Sequence, residues 1–112
     1  MSALAERKCE PCRNGAGALS PGQLETIRKQ VNSAWRVADG RRLEREFKFP
    51  NFEQALHFTN RVGEIAEAEN HHPDIQLSWG RVHLTLWTHA VGGLTENDFI
   101  LAAKIDRLMP EM

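Results

Sequence analysis

Residues 75–86 read IQLSWGRVHLTL, and this alternation of apolar and polar positions around one glycine constrains the fold more than any other stretch. Period-two alternation marks a half-buried strand, and Gly80-Arg81 supplies a two-residue loop with glycine first, as a type II′ turn requires. Closing the hairpin there pairs Trp79 with Val82, Leu77 with Leu84 and Ile75 with Leu86, so one face is wholly apolar. Ser78 then faces His83, Gln76 faces Thr85, and Asp74 faces Trp87. A slip of one residue would scramble both faces, which makes this register the expectation. Carried one step further, it sets His72 opposite His89, at the separation of about 4.5–5.5 Å between Cβ atoms of directly opposed residues.

The flanking sequence supplies the other elements. Ser20, Pro21 and Gln23 form a capping box with proline at the first helical position, and Leu24, Ile27 and Val31 extend one face to about Ser33. Trp35 and Val37, then Asp39-Gly40, then Leu43, Phe47 and Phe49 read as a hairpin, with Arg45 interrupting the second strand. Pairing Val37 with Leu43 favours a three-residue loop over two. Pro50 ends that strand, Asn51 and Gln54 repeat the cap, and Phe52, Ala55, Leu56, Thr59, Val62 and Ala66 carry a helix to about Glu69. Strands at Ile75–Trp79 and Val82–Thr88 follow. Thr95 caps a last helix bearing Phe99, Ile100, Ala103 and Leu108, with Asp98 in its first turn, where the helix dipole favours an acid.

The order α-β-β-α-β-β-α predicts an α+β fold, a four-stranded antiparallel sheet with helices packed on one face. Residues 1–19, with Pro11, Gly15 and Gly17 and no helical or strand period, are expected to be a flexible N-terminal extension; residues 20–112 are expected to form a single domain. The extension holds a lone CxxC, Cys9 and Cys12, too little for a disulfide framework and read as a dispensable tail.

Composition excludes several partners. A formal net charge of −1 gives no global positive field for nucleic acid, and Arg41, Arg42 and Arg45 read as a solvated hairpin face. The longest apolar run, Phe99 to Ala103, is far short of a membrane span. The N-terminal MSALAERKCEPC has no apolar core for a signal peptide, so a cytoplasmic protein is expected.

The chemistry lies with the histidines. His71, His72 and His89 converge on one end of the sheet, and Pro73 biases His72 toward extended backbone, sending the two neighbouring rings in different directions. His57 and His83 read as surface residues; His83 is six residues from His89, about 20 Å along a strand. Zinc held by the three histidines with Glu67 or Asp98 is the competing use. Helical zinc pairs, however, stand at i and i+4 on one face, whereas adjacent histidines before a proline splay apart, so no metal is expected. Neighbouring imidazoles titrate near neutrality and can act together as acid and base.

The residues Glu67-Ala68-Glu69-Asn70-His71-His72-Pro73-Asp74, then Trp79, Thr88-His89 and Gly93-Leu94-Thr95 with Asp98, resemble the pterin-4a-carbinolamine dehydratases over about residues 20 to 108. The resemblance implies a pterin substrate, dehydration of 4a-hydroxytetrahydropterin to quinonoid dihydropterin, no cofactor, and a homodimer or homotetramer. By motif it implies that His71, His72 and His89 are catalytic and that Glu67, Asn70, Pro73, Thr88 and Asp98 surround the substrate. Asn70 departs from members with Asp there. Some animal members also serve as dimerisation cofactors of a homeodomain transcription factor, so a coactivator-like protein-binding module is the alternative reading.

Overall fold

The computed structural model describes residues 3–9 and 18–109. A short 3-10 turn at Ala3–Glu6 precedes α1 (Pro21–Arg28), β1 (Arg36–Ala38), β2 (Arg42–Lys48), α2 (Phe52–Glu69), β3 (Asp74–Ser78), β4 (Arg81–Leu86) and α3 (Glu96–Asp106). The four strands form one antiparallel sheet in the order β1-β2-β4-β3, as the α-β-β-α-β-β-α pattern predicts. Leu43, Phe47, Val82, Leu84 and Leu86 bury the face of the central strands, and Phe58, Val62, Phe99 and Ile100 from the helices close over them. Among the described residues no helix is long and apolar enough to cross a membrane.

The caps form as their sequences dictate. Ser20 and Gln23 complete a capping box on α1, and the Asn51 side chain accepts the Gln54 N–H at 2.8 Å to start α2. In the first hairpin Val37 does pair with Leu43, across a three-residue loop in which Asp39 and Gly40 take positive φ. Two boundaries differ from expectation. α1 stops at Arg28 rather than near Ser33, because Asn32 is engaged elsewhere: its backbone N–H donates to Asp106 and its side chain accepts the Ala34 N–H. On α2 the buried stripe runs through Ala55, Phe58, Val62 and Ala66, leaving Phe52 and Leu56 exposed.

The register of the second hairpin is corrected. Leu77 pairs with Val82, Gln76 with His83 and Ile75 with Leu84, around a Trp79-Gly80 loop instead of Gly80-Arg81. Trp79 is 69% exposed, so it is no partner for buried Val82. Gly80 is required for a different reason than a type II′ turn, since its φ is not positive. A Cβ there would stand 2.7 Å from the Phe49 carbonyl oxygen, and Phe49 donates its N–H to the Gly80 carbonyl at 2.8 Å. The observed pairing differs from the expected one by two residues, so each side chain keeps its face. Continued to His89, this ladder would face Asn70 rather than His72.

Arg45 and residues 3–9 are also corrected. Arg45 lies on the helical side of the sheet, pairs with Asp106 at 2.8 Å and stacks on Phe47, so it is no part of a solvated basic face. Leu4 and Ala5 are buried against α3 rather than loose, Leu4 being only 3% exposed. The reason is visible in α3, where Phe99, Ile100, Leu101, Ala102, Ala103 and Ile105 are all buried. A helix apolar on nearly every side needs cover on both flanks, and the N-terminal segment supplies one of them. Cys12 and the rest of 10–17 lie outside the described residues.

Candidate active site

Two chain reversals build the site. α2 ends at Asn70, which adopts a left-handed conformation at φ 54 while its N–H and that of His71 cap the last turn. Asn is among the few non-glycine residues that tolerate this geometry, and the cap swings His71 and His72 off the helix axis. Opposite, β4 gives way after Leu86 to Trp87, and Thr88 bridges Gly93 across a tight loop with Gly92 at φ 63. That loop carries His89 outward.

His71, His72 and His89 line one cleft of about 490 Å3, together with Asn70, Trp87 and Thr88. The space suits a small heterocyclic ligand. Each ring is held differently. His71 is nearly buried and its Nε2 lies 2.7 Å from Oδ1 of the fully buried Asp98. Oδ2 of Asp98 accepts the Thr88 hydroxyl at 2.8 Å and the Thr95 N–H at 2.9 Å. With Asp98 as the acceptor, the His71 ring presents Nε2–H to it, which turns Nδ1 away from the carboxylate. His72 Nε2 meets Glu67 Oε2 at 2.5 Å on the exposed rim. His89 is exposed and its ring packs on the Trp87 indole, with centroids 4.2 Å apart.

The two adjacent histidines do point apart, one to α3 and one back to α2. Thr88 and Asn70 line the cleft; Glu67, Pro73 and Asp98 do not, although Glu67 and Asp98 touch histidines that do. His83 faces Glu44 and Glu46 on the open side of the sheet, away from the cleft. Among the described residues, no group of three or more His, Cys, Asp or Glu side chains is spaced to hold a metal ion.

Sequence reasoning missed Cys9, Glu69, Trp87, Ala90 and Asn97, which line the same cleft. For Cys9 the only available signal is indirect: the unbroken apolar run of α3 demands a second covering segment. Cys9 donates its N–H to Glu69 Oε1 at 2.8 Å, and its thiol reaches the Asn97 carbonyl at 3.5 Å. Burial, reinforced by the negative charges of Glu69 and Asp98 and opposed by Lys104, pushes the Cys9 thiol up to about 12. It therefore stays a neutral thiol at physiological pH.

Comparisons with known proteins identify the family of the chain. The family model "Pterin 4 alpha carbinolamine dehydratase" matches residues 18–108. A protein of Rubrobacter xylanophilus, provisionally named a pterin-4-alpha-carbinolamine dehydratase, is 52% identical over 108 residues, 96% of this chain and 100% of that one. The crystal structure of a transcriptional coactivator/pterin dehydratase from Brucella melitensis superposes with a TM-score of 0.76 at 31% identity, covering 82% of this chain and 98% of that one. A pterin dehydratase-like protein described as a RuBisCO assembly factor in the alpha-carboxysome superposes at 0.58 with 25% identity, covering 67% and 88%. With a family model spanning nearly the whole described domain and a relative more than half identical, the chain belongs to the pterin 4 alpha carbinolamine dehydratase family.

Proposed function

We propose that this chain dehydrates a 4a-hydroxytetrahydropterin to the quinonoid dihydropterin, using His71, His72 and His89 as acid and base groups with no metal or cofactor. The observation that carries the reading is the convergence of three imidazoles on one cleft, one of them locked by a buried carboxylate. The C4a–O bond breaks as an imidazolium protonates the departing hydroxyl, and water leaves. A neutral imidazole takes the ring N–H proton, whose bonding electrons form the new C=N bond. Positioned acid–base groups supply about 10²–10⁴-fold each, enough for an elimination that already runs slowly unaided. Asn70 and Thr88 line the substrate's cleft, and Glu67 and Asp98 support it through the histidines they touch.

A stopped-flow assay on freshly generated 4a-hydroxytetrahydropterin tests this. Wild type should accelerate water loss, and His72→Ala and His89→Ala should each lose much of the acceleration. The double variant should lose less than the product, because groups acting as a unit are non-additive. His83→Ala should be nearly silent. Strictly multiplicative losses, or an equally impaired His83 variant, would sink the shared site.

A second reading rests on surface. Phe52, Leu56, Ile75 and Trp79 are large apolar side chains left exposed on α2, β3 and the turn after it. Such side chains favour a protein contact, as a homodimer, a homotetramer or a coactivator-like complex. Light scattering on the purified protein tests the first two: a monomer at all concentrations leaves only a foreign partner.

A further inference from the structure

Residues 3–9 belong to an extension expected to contribute little, yet Cys9 reaches the cleft, and one acidic side chain accounts for how. Glu69, the last residue of α2, is itself nearly buried. Its Oε1 accepts the Cys9 N–H at 2.8 Å, and its Oε2 lies 3.6 Å from Lys104 Nζ on α3. Lys104 in turn donates to the Ala5 carbonyl at 2.9 Å. The segment is thus pinned at Ala5 and at Cys9 through one ion pair, with Leu4 buried just ahead of the first anchor. Glu69 is also followed directly by Asn70, His71 and His72, so the same residue joins the segment to the histidine-bearing turn.

We propose that Cys9, held in place by the buried 3–9 segment, is a fixed wall of the substrate cleft, and that Glu69 beside it is the positioning residue that holds it against the bound pterin. This rests on the dehydratase reading and adds to it a binding surface outside the histidines. The wall serves binding and not proton transfer. Cys9 remains a neutral thiol, and neither hydrogen bond to it involves a histidine. Loss of the latch should therefore weaken substrate capture while the acid–base groups continue to turn over whatever binds.

The test uses the full chain with Cys12→Ser, which leaves Cys9 as the sole thiol. Its reaction with Ellman's reagent is timed with and without a 7,8-dihydropterin, which has no 4a-hydroxyl to lose. Equilibrium dialysis establishes separately whether that pterin binds. Saturating pterin should slow modification of Cys9 by about tenfold or more, as covering a thiol limits its access. Glu69→Ala should raise KM by about tenfold and leave kcat within about twofold, the pattern of lost uniform binding. Pterin that binds without protecting Cys9 overturns the wall and leaves the dehydratase reading intact. A kcat loss at unchanged KM in Glu69→Ala overturns the positioning role. Failure of the pterin to bind at all overturns the dehydratase reading, and this inference with it.

Discussion

α3 carries a fully buried aspartate at one end and a partly buried one at the other, and the two carboxylates do opposite work. Asp98 sits in the first turn, where the dipole favours negative charge; it closes the capping box with Thr95 and holds His71 in the cleft. Asp106 is the last residue, where the dipole opposes it. There it accepts from Trp35 Nε1 at 2.7 Å, from the Asn32 N–H at 3.0 Å and from Arg45 at 2.8 Å, joining the first hairpin to the helix. One end of a single helix orients a histidine of the cleft, and the other staples the sheet. The difference teaches that a buried carboxylate is read by what it faces, not by its burial.

The largest expected effect separates the ends by activity. Asp98→Asn keeps the volume but has only one acceptor oxygen; with that oxygen held by the Thr88 hydroxyl and the Thr95 N–H, the amide NH2 faces His71 Nε2 and cannot accept from it. By analogy with carboxylates that orient a catalytic imidazole, kcat should fall by about 10²–10⁴-fold, with the circular-dichroism spectrum unchanged. Asp106→Asn, eight residues along the same helix, should leave kcat near wild type. Equal losses in both would dissolve the contrast.

Next comes stability. Asp106→Ala strands Arg45, whose side chain is only 15% exposed and whose Nε already has no partner among the described residues. The pair is only partly buried, so removing one member should cost about 1–3 kcal/mol, less than for a fully buried pair, which a urea titration will resolve. Activity per folded molecule should not change. A loss below about 1 kcal/mol would put this pair with surface salt bridges instead.

How much of this was legible follows the same division. Caps and alternation are local, so Ser20, Asn51, Thr95 and the strand faces could be read directly. The second hairpin's register could not, because a shift of two residues leaves every face intact; the contact of Gly80 with the Phe49 carbonyl decides it, and that contact is long-range. The histidines share the cleft, although His72 and His89 are not opposed on the ladder. Trp87, Glu69, Asn97 and Cys9 share no common period and come from four separate parts of the chain. The apolar run from Phe99 to Ala103 was the unused clue, since it requires the cover that Leu4 and Ala5 provide.

The smallest effect concerns pH, and it also divides the two ends. Burial is the largest influence on Asp106 and raises its carboxyl above the usual 3.8, while the hydrogen bonds from Asn32, Trp35 and Arg45 and the charge of Arg45 pull the other way. A folded-state value above the unfolded one means that the native protein holds this proton more tightly. By linkage, the resulting contribution to stability is fully present below about pH 3.8, the unfolded value, and is lost as the pH rises through the raised folded value. Asp106→Asn cannot titrate there. Relative to that variant, wild type should therefore gain stability as the pH is lowered from neutrality through the carboxylate range, even while both proteins lose stability overall. Paired urea titrations at several pH values measure the difference directly. A difference that moves against wild type on acidification would mean that the Arg45 pair outweighs burial, and the far end of α3 would then be held by its charge more than by its packing.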